Sequence, residues 1–180
     1  MSTIGVIPAG LIGIADAARR GLPPVHLWDP PHCGEIDILI RADGVWMHEG
    51  SPIGRKALVR LFSTVLRKDP DGYCLVTPVE KLSIQVEDVP FRAVAVDHRG
   101  DELVFMTDVG DETAAGRDHP IRVVTAEDGE PRPYVHVRGA LEARIERAVF
   151  YELVEAATRN DEGVLGLWSG GIWFELGRDR

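Results

Sequence analysis

The sequence predicts an α+β protein made of two similar halves, each a β-hairpin, an amphipathic helix and a second hairpin. Apolar and polar residues alternate over 36–41, which is typical of a strand with one buried face. Apolar residues then recur over 58–66 at the spacing of one helix face. A similar succession of strand, helix and hairpin recurs over 134–176. We therefore expect a duplicated β-β-α-β-β architecture with mostly antiparallel sheets.

Turn and cap residues set the predicted bounds in the first half. Asp43-Gly44 predicts a tight two-residue turn after the first strand. Ser51 and Pro52 predict the N-cap and first residue of a helix that includes Lys68 in its last turn. Asp69-Pro70-Asp71-Gly72 predicts the end of that helix. Two strands follow, at 73–77 and 82–86.

The second half is predicted to follow the same plan. Leu141 to Ala156 predicts an amphipathic helix that ends near Asn160, and Ser169-Gly170-Gly171 lies at the centre of a closing hairpin. When His48 is placed opposite His136, helix residues such as Phe62 and Phe150 coincide, as a duplication would require. Further strands are predicted at 93–96, 103–106, 121–124 and 134–138.

These elements predict an N-terminal extension and two subdomains. Residues 1–24 form the extension, with a helix at Pro8–Arg20, and residues 25–91 and 92–180 form the two α+β subdomains. The proline-rich segment 22–34 is predicted to run extended across the surface, anchored by Trp28.

Composition excludes several classes of function. The net charge of −9 over 180 residues argues against duplex nucleic-acid binding. Cys33 and Cys74 cannot build a disulfide framework, which favours a cytoplasmic protein. No apolar run reaches the roughly 20 residues of a membrane span. Arg19 and Arg20 follow the apolar N-terminal stretch, the reverse of a signal peptide.

Several motifs, spread from about Gly21 to near the C-terminus, together resemble the bacterial domain of unknown function 1285 family. The most specific are Thr77-Pro78-Val79-Glu80-Lys81 and Val86-Glu87-Asp88-Val89-Pro90-Phe91. The others include Pro24-Val25-His26-Leu27-Trp28, Cys33-Gly34-Glu35-Ile36-Asp37, Asp43-Gly44-Val45-Trp46, Pro52-Ile53-Gly54-Arg55, Pro133-Tyr134, Leu141-Glu142-Ala143 and Trp168-Ser169-Gly170-Gly171.

The resemblance implies a duplicated α+β fold whose C-terminal half is superficially like pleckstrin-homology domains. It also implies a binding site at the interface of the halves for a nucleotide-like ligand, and a role in signalling. No enzymatic activity comes with the family.

Four cations are candidates for binding an anion. Arg55 and Arg138 lie near predicted helix starts, and Lys81 and Arg147 complete the set. The alternative is that each pairs with a local carboxylate, Lys81 with Glu80 or Asp88 and Arg147 with Glu142 or Glu146.

The aromatic residues Trp46, Tyr134 and Trp168 are candidates for stacking on a base, although strand aromatics are commonly core residues. Ser169-Gly170-Gly171 either presents backbone donors to an anion or forms a plain hairpin turn.

Neither a metal nor a cofactor is predicted. His26, His32, Cys33, Asp37 and His48 match no zinc template. Whether the protein is an enzyme stays open, since the sequence carries no nucleophile motif, phosphate loop or metal constellation.

Three functions remain as hypotheses. The first is a cytoplasmic protein that binds a small anionic, nucleotide-like ligand in a cleft between its halves and takes part in signalling. The second is a protein-interaction module for a signalling partner, without a small-molecule site. The third is a hydrolase that uses Asp37, Glu80 or Asp88 as acid or base. The candidate ligand-binding residues are Asp37, Arg55, Thr77, Glu80, Lys81, Tyr134, Arg138, Arg147, Trp168 and Ser169.

Overall fold

The computed structural model describes Ile14 and residues 21–178. The chain divides into two compact units, Met1–Asp88 and Val89–Arg180. Except for Ile14, which is helical and buried, the helix predicted at Pro8–Arg20 lies outside the described residues.

The described part of the first unit contains a six-stranded sheet in the order β3-β2-β1-β6-β5-β4. β1 and β6 are parallel and the other neighbours are antiparallel. Apolar side chains such as Ile38, Ile40, Leu75 and Val76 are buried. The strands are β1 (His32–Ile40), β2 (Trp46–His48), β3 (Ser51–Pro52), β4 (Leu66–Asp69), β5 (Gly72–Val76) and β6 (Lys81–Val86).

The first hairpin is confirmed, but its turn differs from the prediction. The amide of Gly44 donates to the carbonyl of Arg41 at 2.9 Å, so Ala42 and Asp43 are the central residues of the turn. Gly44 follows with a φ of 84°, which makes a three-residue loop with a bulge. The two-residue turn predicted at Asp43-Gly44 is therefore wrong.

Ser51 and Pro52 form an edge strand, and not the helix start predicted from them. Glu49 and Gly50, with φ of 49° and 77°, turn the chain so that Ser51 pairs with His48. Proline is tolerated on an edge strand because its missing amide would have faced away from the sheet. Helix α1 (Lys56–Thr64) begins four residues later, with Arg55 as N-cap.

Helix α1 also ends earlier than its apolar stripe predicts. The hydroxyls of Ser63 and Thr64 donate to the carbonyls of Arg60 and Leu61, at 2.6 Å each. Leu66–Asp69 is strand β4, paired with β5 across the turn predicted to stop the helix. The apolar residues at 65 and 66 suit either structure, and pairing in the sheet decides between them.

The described part of the second unit contains a six-stranded sheet, in the order β10-β11-β12-β7-β8-β9. β7 and β12 are parallel, and the other neighbours are antiparallel. Its core includes Phe91, Phe105 and Val135. The strands are β7 (Phe91–Arg99), β8 (Glu102–Thr107), β9 (Glu112–Ala114), β10 (Ile121–Thr125), β11 (Pro131–Arg138) and β12 (Leu141–Ile145).

The helix predicted from Leu141 to Asn160 is partly wrong. Leu141–Ile145 is strand β12, in which Leu141, Ala143 and Ile145 are buried. This alternation has the period of a strand, and the turn at Gly139, with a φ of 55°, directs it back along β11. Helix α2 (Arg147–Ala156) starts after Glu146, which is its N-cap.

The chain then forms a three-stranded sheet in the order β13-β14-β15. The strands are β13 (Thr158–Arg159), β14 (Val164–Ser169) and β15 (Ile172–Arg178), so the predicted closing hairpin is confirmed. Gly170 and Gly171 have φ of 54° and 75°, as this two-residue turn requires. Among the described residues, no helix is long and apolar enough to cross a membrane.

The fold class is confirmed as α+β, and the likeness of the two six-stranded sheets suggests a duplication. Each sheet is made of two three-stranded meanders, and in each the first and last strands form the central parallel pair. The helices differ in position, since α1 lies between the meanders of its unit and α2 follows both. His48 lies in the second strand of its sheet, but His136 lies in the fifth strand of its own. Placing these two histidines opposite each other therefore does not match equivalent strands of the two sheets.

Candidate functional site

Lys81, a predicted anion-binding residue, is held in a cluster of ionic side chains in the first unit. Its Nζ lies 2.8 Å from Oδ2 of Asp69 and 3.2 Å from Oδ1 of Asp71. Arg67 donates to the other oxygen of Asp69 at 2.7 Å. Two cations therefore share two carboxylates, and the cluster carries no excess positive charge.

The same cluster joins the proline-rich segment to the sheet. Nη1 of Arg67 donates to the carbonyl oxygens of Val25 and Trp28, at 2.8 and 2.7 Å. The hydrogen bond from Arg67, with that from Lys81, lowers the pKa of Asp69 from 3.8 to about 2. Burial raises the pKa of the nearby Cys74 thiol, which disfavours the reactive thiolate.

The loop Thr77–Lys81 is closed by its own threonine. Oγ1 of Thr77 accepts hydrogen bonds from the amides of Val79 and Glu80, at 3.3 and 3.1 Å. Oε1 of Glu80 is buried and has no hydrogen-bond partner within the described residues. A buried carboxylate oxygen suits a donor and repels an anion, so this loop is a poor place for a phosphate.

The other two candidates of the first unit lie apart from this cluster in the chain. Arg55 is exposed at the start of α1, where its carbonyl accepts from the amides of Leu58 and Val59. Asp37 is exposed on β1. Their role in a ligand site stays a prediction.

In the second unit, one face of the sheet carries a row of three arginines and a tyrosine. Arg122, Tyr134, Arg144 and Arg92 are directly opposite one another on β10, β11, β12 and β7. The guanidinium carbons of Arg122 and Arg144 lie 4.2 and 5.4 Å from the centre of the Tyr134 ring. We call these four residues the arginine row. Tyr134 is only 5% exposed, so stacking on a base would require the arginines to move.

Carboxylates accompany the cations of this unit. Within the arginine row, Arg122 donates to both oxygens of Glu142 at 2.6 and 2.9 Å, and Arg92 lies 2.6 Å from Glu146. Arg138 is paired with Asp111, and its guanidinium also lies 5.1 Å from the Phe91 ring centre. The predicted candidate Arg147 lies 3.3 Å from Glu130 on an exposed surface.

A pair of tryptophans lies on the outer face of the closing hairpin. Trp168 and Trp173 are directly opposite each other, with ring centres 5.6 Å apart at an interplanar angle of 61°. Trp168 is 65% exposed. The Trp173 ring lies over Gly166, where an added Cβ would come within 2.5 Å of it. We call Trp168 and Trp173 the tryptophan pair.

Ser169 fixes the end of that hairpin to the rest of its unit. Its Oγ accepts from the amide of Leu103 at 2.8 Å and donates to the carbonyl of Ala115 at 2.7 Å. The amide of Gly170 also donates to the carbonyl of Asp101 at 3.0 Å. The fully buried Ser169 therefore has a structural role, and the Gly170-Gly171 amides form an ordinary hairpin turn.

His119 and His136, for which the sequence predicted no chemical role, are in side-chain contact. The Nδ1 atoms of His119 and His136 are 3.1 Å apart, and Nε2 of His136 donates to the carbonyl of Gly139 at 2.6 Å. A carbonyl can only accept, so Nε2 of His136 carries a hydrogen, and the tautomer with a bare Nδ1 accepts there from His119. No group of three or more metal-ligating side chains occurs in the described part of the chain.

Lys81, Arg138 and Arg147 each pair with a carboxylate, which is the alternative to anion binding that the sequence left open. The particular partners predicted for Lys81 and Arg147 were wrong. Lys81 contacts Asp69 and Asp71, and Arg147 contacts Glu130. Trp46 and Tyr134 are buried, as strand aromatics commonly are, while Trp168 is exposed. Whether the candidates of the two units serve one ligand stays a prediction.

The sequence reasoning missed the residues that organise these sites. Arg67, Arg122 and Arg144 received no role in a site, and neither did Trp173 or Gly166. The period-two alternation of Leu141–Ile145 would have placed Arg144 on a strand face, and the near-symmetry of Trp168 and Trp173 about Gly170-Gly171 would have predicted the tryptophan pair.

Models of one family match nearly the whole chain. The N-terminal domain of a domain of unknown function, DUF1285, matches residues 23–89, and the C-terminal domain of the same family matches residues 90–176. The fold and these two models define a two-domain α+β protein. The chain belongs to the DUF1285 family, as its motifs predicted.

Two crystal structures of the family resemble this chain. A DUF1285 family protein from Silicibacter pomeroyi DSS-3 is 47% identical, with a TM-score of 0.85, and the match covers 96% of this chain and 97% of that one. A second, from Shewanella baltica OS155, is 27% identical with a TM-score of 0.54, over 66% of this chain and 90% of that one. A search of the curated proteins finds no match.

Proposed function

We propose that this protein is an interaction module, which binds a partner protein in a signalling role through the outer face of its closing hairpin. The observation that carries the proposal is the 65% exposure of Trp168 on a hairpin whose end is fixed by Ser169. Tryptophan is enriched among the residues that dominate binding energy at protein interfaces. Because the hairpin is already ordered, little conformational entropy is lost when a partner binds.

The state of the predicted anion-binding cations also supports this choice. Lys81, Arg138 and Arg147 each lie within 3.3 Å of a carboxylate of their own unit. An anionic ligand would have to compete with those carboxylates, and each carboxylate it displaced would lose its partner. The interaction module does not require any of these ion pairs to break.

Site-specific cross-linking tests the proposal. The photoreactive amino acid p-benzoylphenylalanine is placed at position 168 in bacterial cells that produce the protein. A matched control carries it at position 151, since Tyr151 is also an exposed aromatic residue but lies on α2. We expect a discrete adduct from position 168, identified by mass spectrometry and absent from position 151. No adduct, or the same adducts from both positions, would refute the proposal.

The arginine row supports a second candidate, a small anionic, nucleotide-like ligand. Arg122, Arg144 and Arg92 bring three guanidinium groups to one face of one sheet, in a chain of net charge −9. Such groups bind phosphate through paired hydrogen bonds. This candidate requires the bound phosphate to replace Glu142 or Glu146 as a partner of its arginines.

A thermal-shift screen tests the second candidate. The wild type and Arg144→Gln are compared with nucleotides, linear and cyclic dinucleotides and inorganic phosphate, and Arg41→Gln is the control in the other unit. A ligand at a hundred times its Kd adds about 2.7 kcal/mol of stability. A shift that is lost in Arg144→Gln alone supports the arginine row, and an unchanged melting temperature with every compound excludes it.

A further inference from the structure

We infer that the tryptophan pair and Glu175 recognise an arginine or lysine side chain in an extended, basic segment of the partner protein. This inference rests on the proposed function and adds the chemistry of the partner. Three features of the closing hairpin carry it: the register that groups these residues, the packing that holds the rings, and the charge of the surface.

The strand register places the three side chains on one face of the hairpin. Trp168 is opposite Trp173, and Gly166 is opposite Glu175. Residues two apart on a strand point to the same side, so Trp173 and Glu175 are neighbours about 7 Å apart along β15. Glu175 is exposed, as is Trp168, so a carboxylate and an indole are both accessible from solvent on this face.

Packing holds the tryptophan pair in a defined arrangement. Because Gly166 has no side chain, the Trp173 ring occupies the space beside it, where an added Cβ would come within 2.5 Å of the ring. Trp173 then supports Trp168 in an edge-to-face contact with ring centres 5.6 Å apart. The exposed indole of Trp168 is thus held in a defined position, where a cation can bind without the rings first being ordered.

Electrostatics selects a cation as the group that binds there. The face of a tryptophan ring attracts a guanidinium or ammonium group more strongly than any other aromatic side chain does. Glu175 supplies a negative charge on the same face, and the net charge of −9 attracts basic partners from a distance. The neighbouring cation Arg159 is opposite Leu165, outside the Trp168–Glu175 face, and its Nη1 donates to the carbonyl of Gly163.

An NMR titration tests the inference with two peptide probes of opposite charge. The capped nonapeptides (Arg-Gly-Gly)3 and (Glu-Gly-Gly)3 are added to the full chain, and the indole Nε1–H signals of Trp168 and Trp173 are followed. We expect saturable shifts with the arginine peptide alone. Equal shifts with the glutamate peptide, or no shift up to a peptide concentration of about 10 mM, would overturn the inference.

Variants show whether the named groups form the site. Trp168→Ala is expected to weaken binding of the arginine peptide about tenfold, through the lost cation–π contact and apolar surface. Glu175→Gln is expected to weaken it about threefold at low salt and less at high salt. Tyr151→Ala is the matched control and is expected to leave the affinity unchanged. If Trp168→Ala binds the arginine peptide as tightly as the wild type, the inference is wrong. Trp168→Phe is a second variant, which keeps an aromatic ring at this position.

The two experiments separate the inference from the proposed function. A specific adduct at position 168 without arginine-peptide binding would support the interaction module and refute the recognition of a cationic side chain. Peptide binding that depends on Trp168, without any adduct, would support the recognition of a cationic side chain and refute the proposed interaction with a partner protein in the cell.

Discussion

Arg67 and Asp69 form a two-pronged ion pair, in which Nε and Nη2 of the arginine donate to the two carboxylate oxygens at 2.7 and 2.9 Å. The third nitrogen of the same guanidinium binds the carbonyls of Val25 and Trp28. One side chain thus joins β4 to the segment before β1. Such a link needs the planar, five-donor guanidinium, which lysine does not provide.

We predict that Arg67→Lys destabilises the protein by about 1–3 kcal/mol, because two backbone carbonyls and one carboxylate oxygen lose a charged donor. Arg41→Lys is the control, since Arg41 and Asp43 have the same spacing in sequence but are each 48% exposed, against 19% and 17% for Arg67 and Asp69. Its effect is expected within about 0.5 kcal/mol. Urea denaturation measures both, and equal losses would show that the link to Val25 and Trp28 contributes nothing.

The lowered pKa of Asp69 predicts a particular dependence of stability on pH. Its pKa is 3.8 in an unfolded chain and about 2 in the fold, so its stabilising effect is complete above pH 3.8 and is lost as the pH falls through 2. The wild type should exceed Asp69→Asn in stability by about 1–2 kcal/mol at pH 7. That difference should shrink between pH 4 and pH 2. Urea titrations over this range measure it, with the exposed Asp43→Asn as control, and a difference that does not change with pH would contradict the role of this ion pair.

Gly166 is predicted to be essential for the tryptophan pair. A Cβ at this position would lie 2.5 Å from both the carbonyl oxygen of Phe174 and the Trp173 ring, so Gly166→Ala forces the strands or the ring to move. We expect a loss of about 2 kcal/mol or more. Gly177→Ala is the control, since nothing lies within 4 Å of a Cβ there. Thermal unfolding and tryptophan near-ultraviolet circular dichroism report both effects, and a Gly166→Ala protein as stable as Gly177→Ala would refute the close packing.

Ser169 is predicted to stabilise the closing hairpin through its two hydrogen bonds. Ser169→Ala leaves the amide of Leu103 and the carbonyl of Ala115 without this partner, at a cost of about 1–3 kcal/mol. It should also increase hydrogen exchange over β14 and β15. Ser51→Ala is the control, because Ser51 is exposed on an edge strand. Unchanged exchange in Ser169→Ala would show that the hairpin is ordered without this contact.

Local patterns predicted the elements but not all of their bounds. Alternation identified the strands of the first hairpin, and Gly170-Gly171 identified the last turn. The apolar residues at 65, 66, 141 and 145 fit a helix face as well as a strand face, so both predicted helices were too long. The competing structure, a strand paired with a distant partner, depends on contacts that no short window contains.

In the candidate sites too, the sequence predicted some of the residues but not their partners. The sequence predicted that Lys81, Arg138 and Trp168 carry chemistry, and it weighed the pairing of the cations with carboxylates. It did not predict that Asp69 binds Lys81 or that Glu130 pairs with Arg147. Those partners are chosen by the register of neighbouring strands and by the loops between them.

By itself, the sequence determined the α+β class, the family, the strong negative charge and the turns at which glycine must stand, because these follow from composition and from patterns within a few residues. Tertiary structure alone decided which charges are neutralised and which aromatic rings are exposed. Trp46 and Trp168 both lie on short strands. Trp46 is buried and stacks on Phe62, whereas Trp168 is exposed to solvent. The difference arises from what packs against each strand, and that is a property of the whole fold.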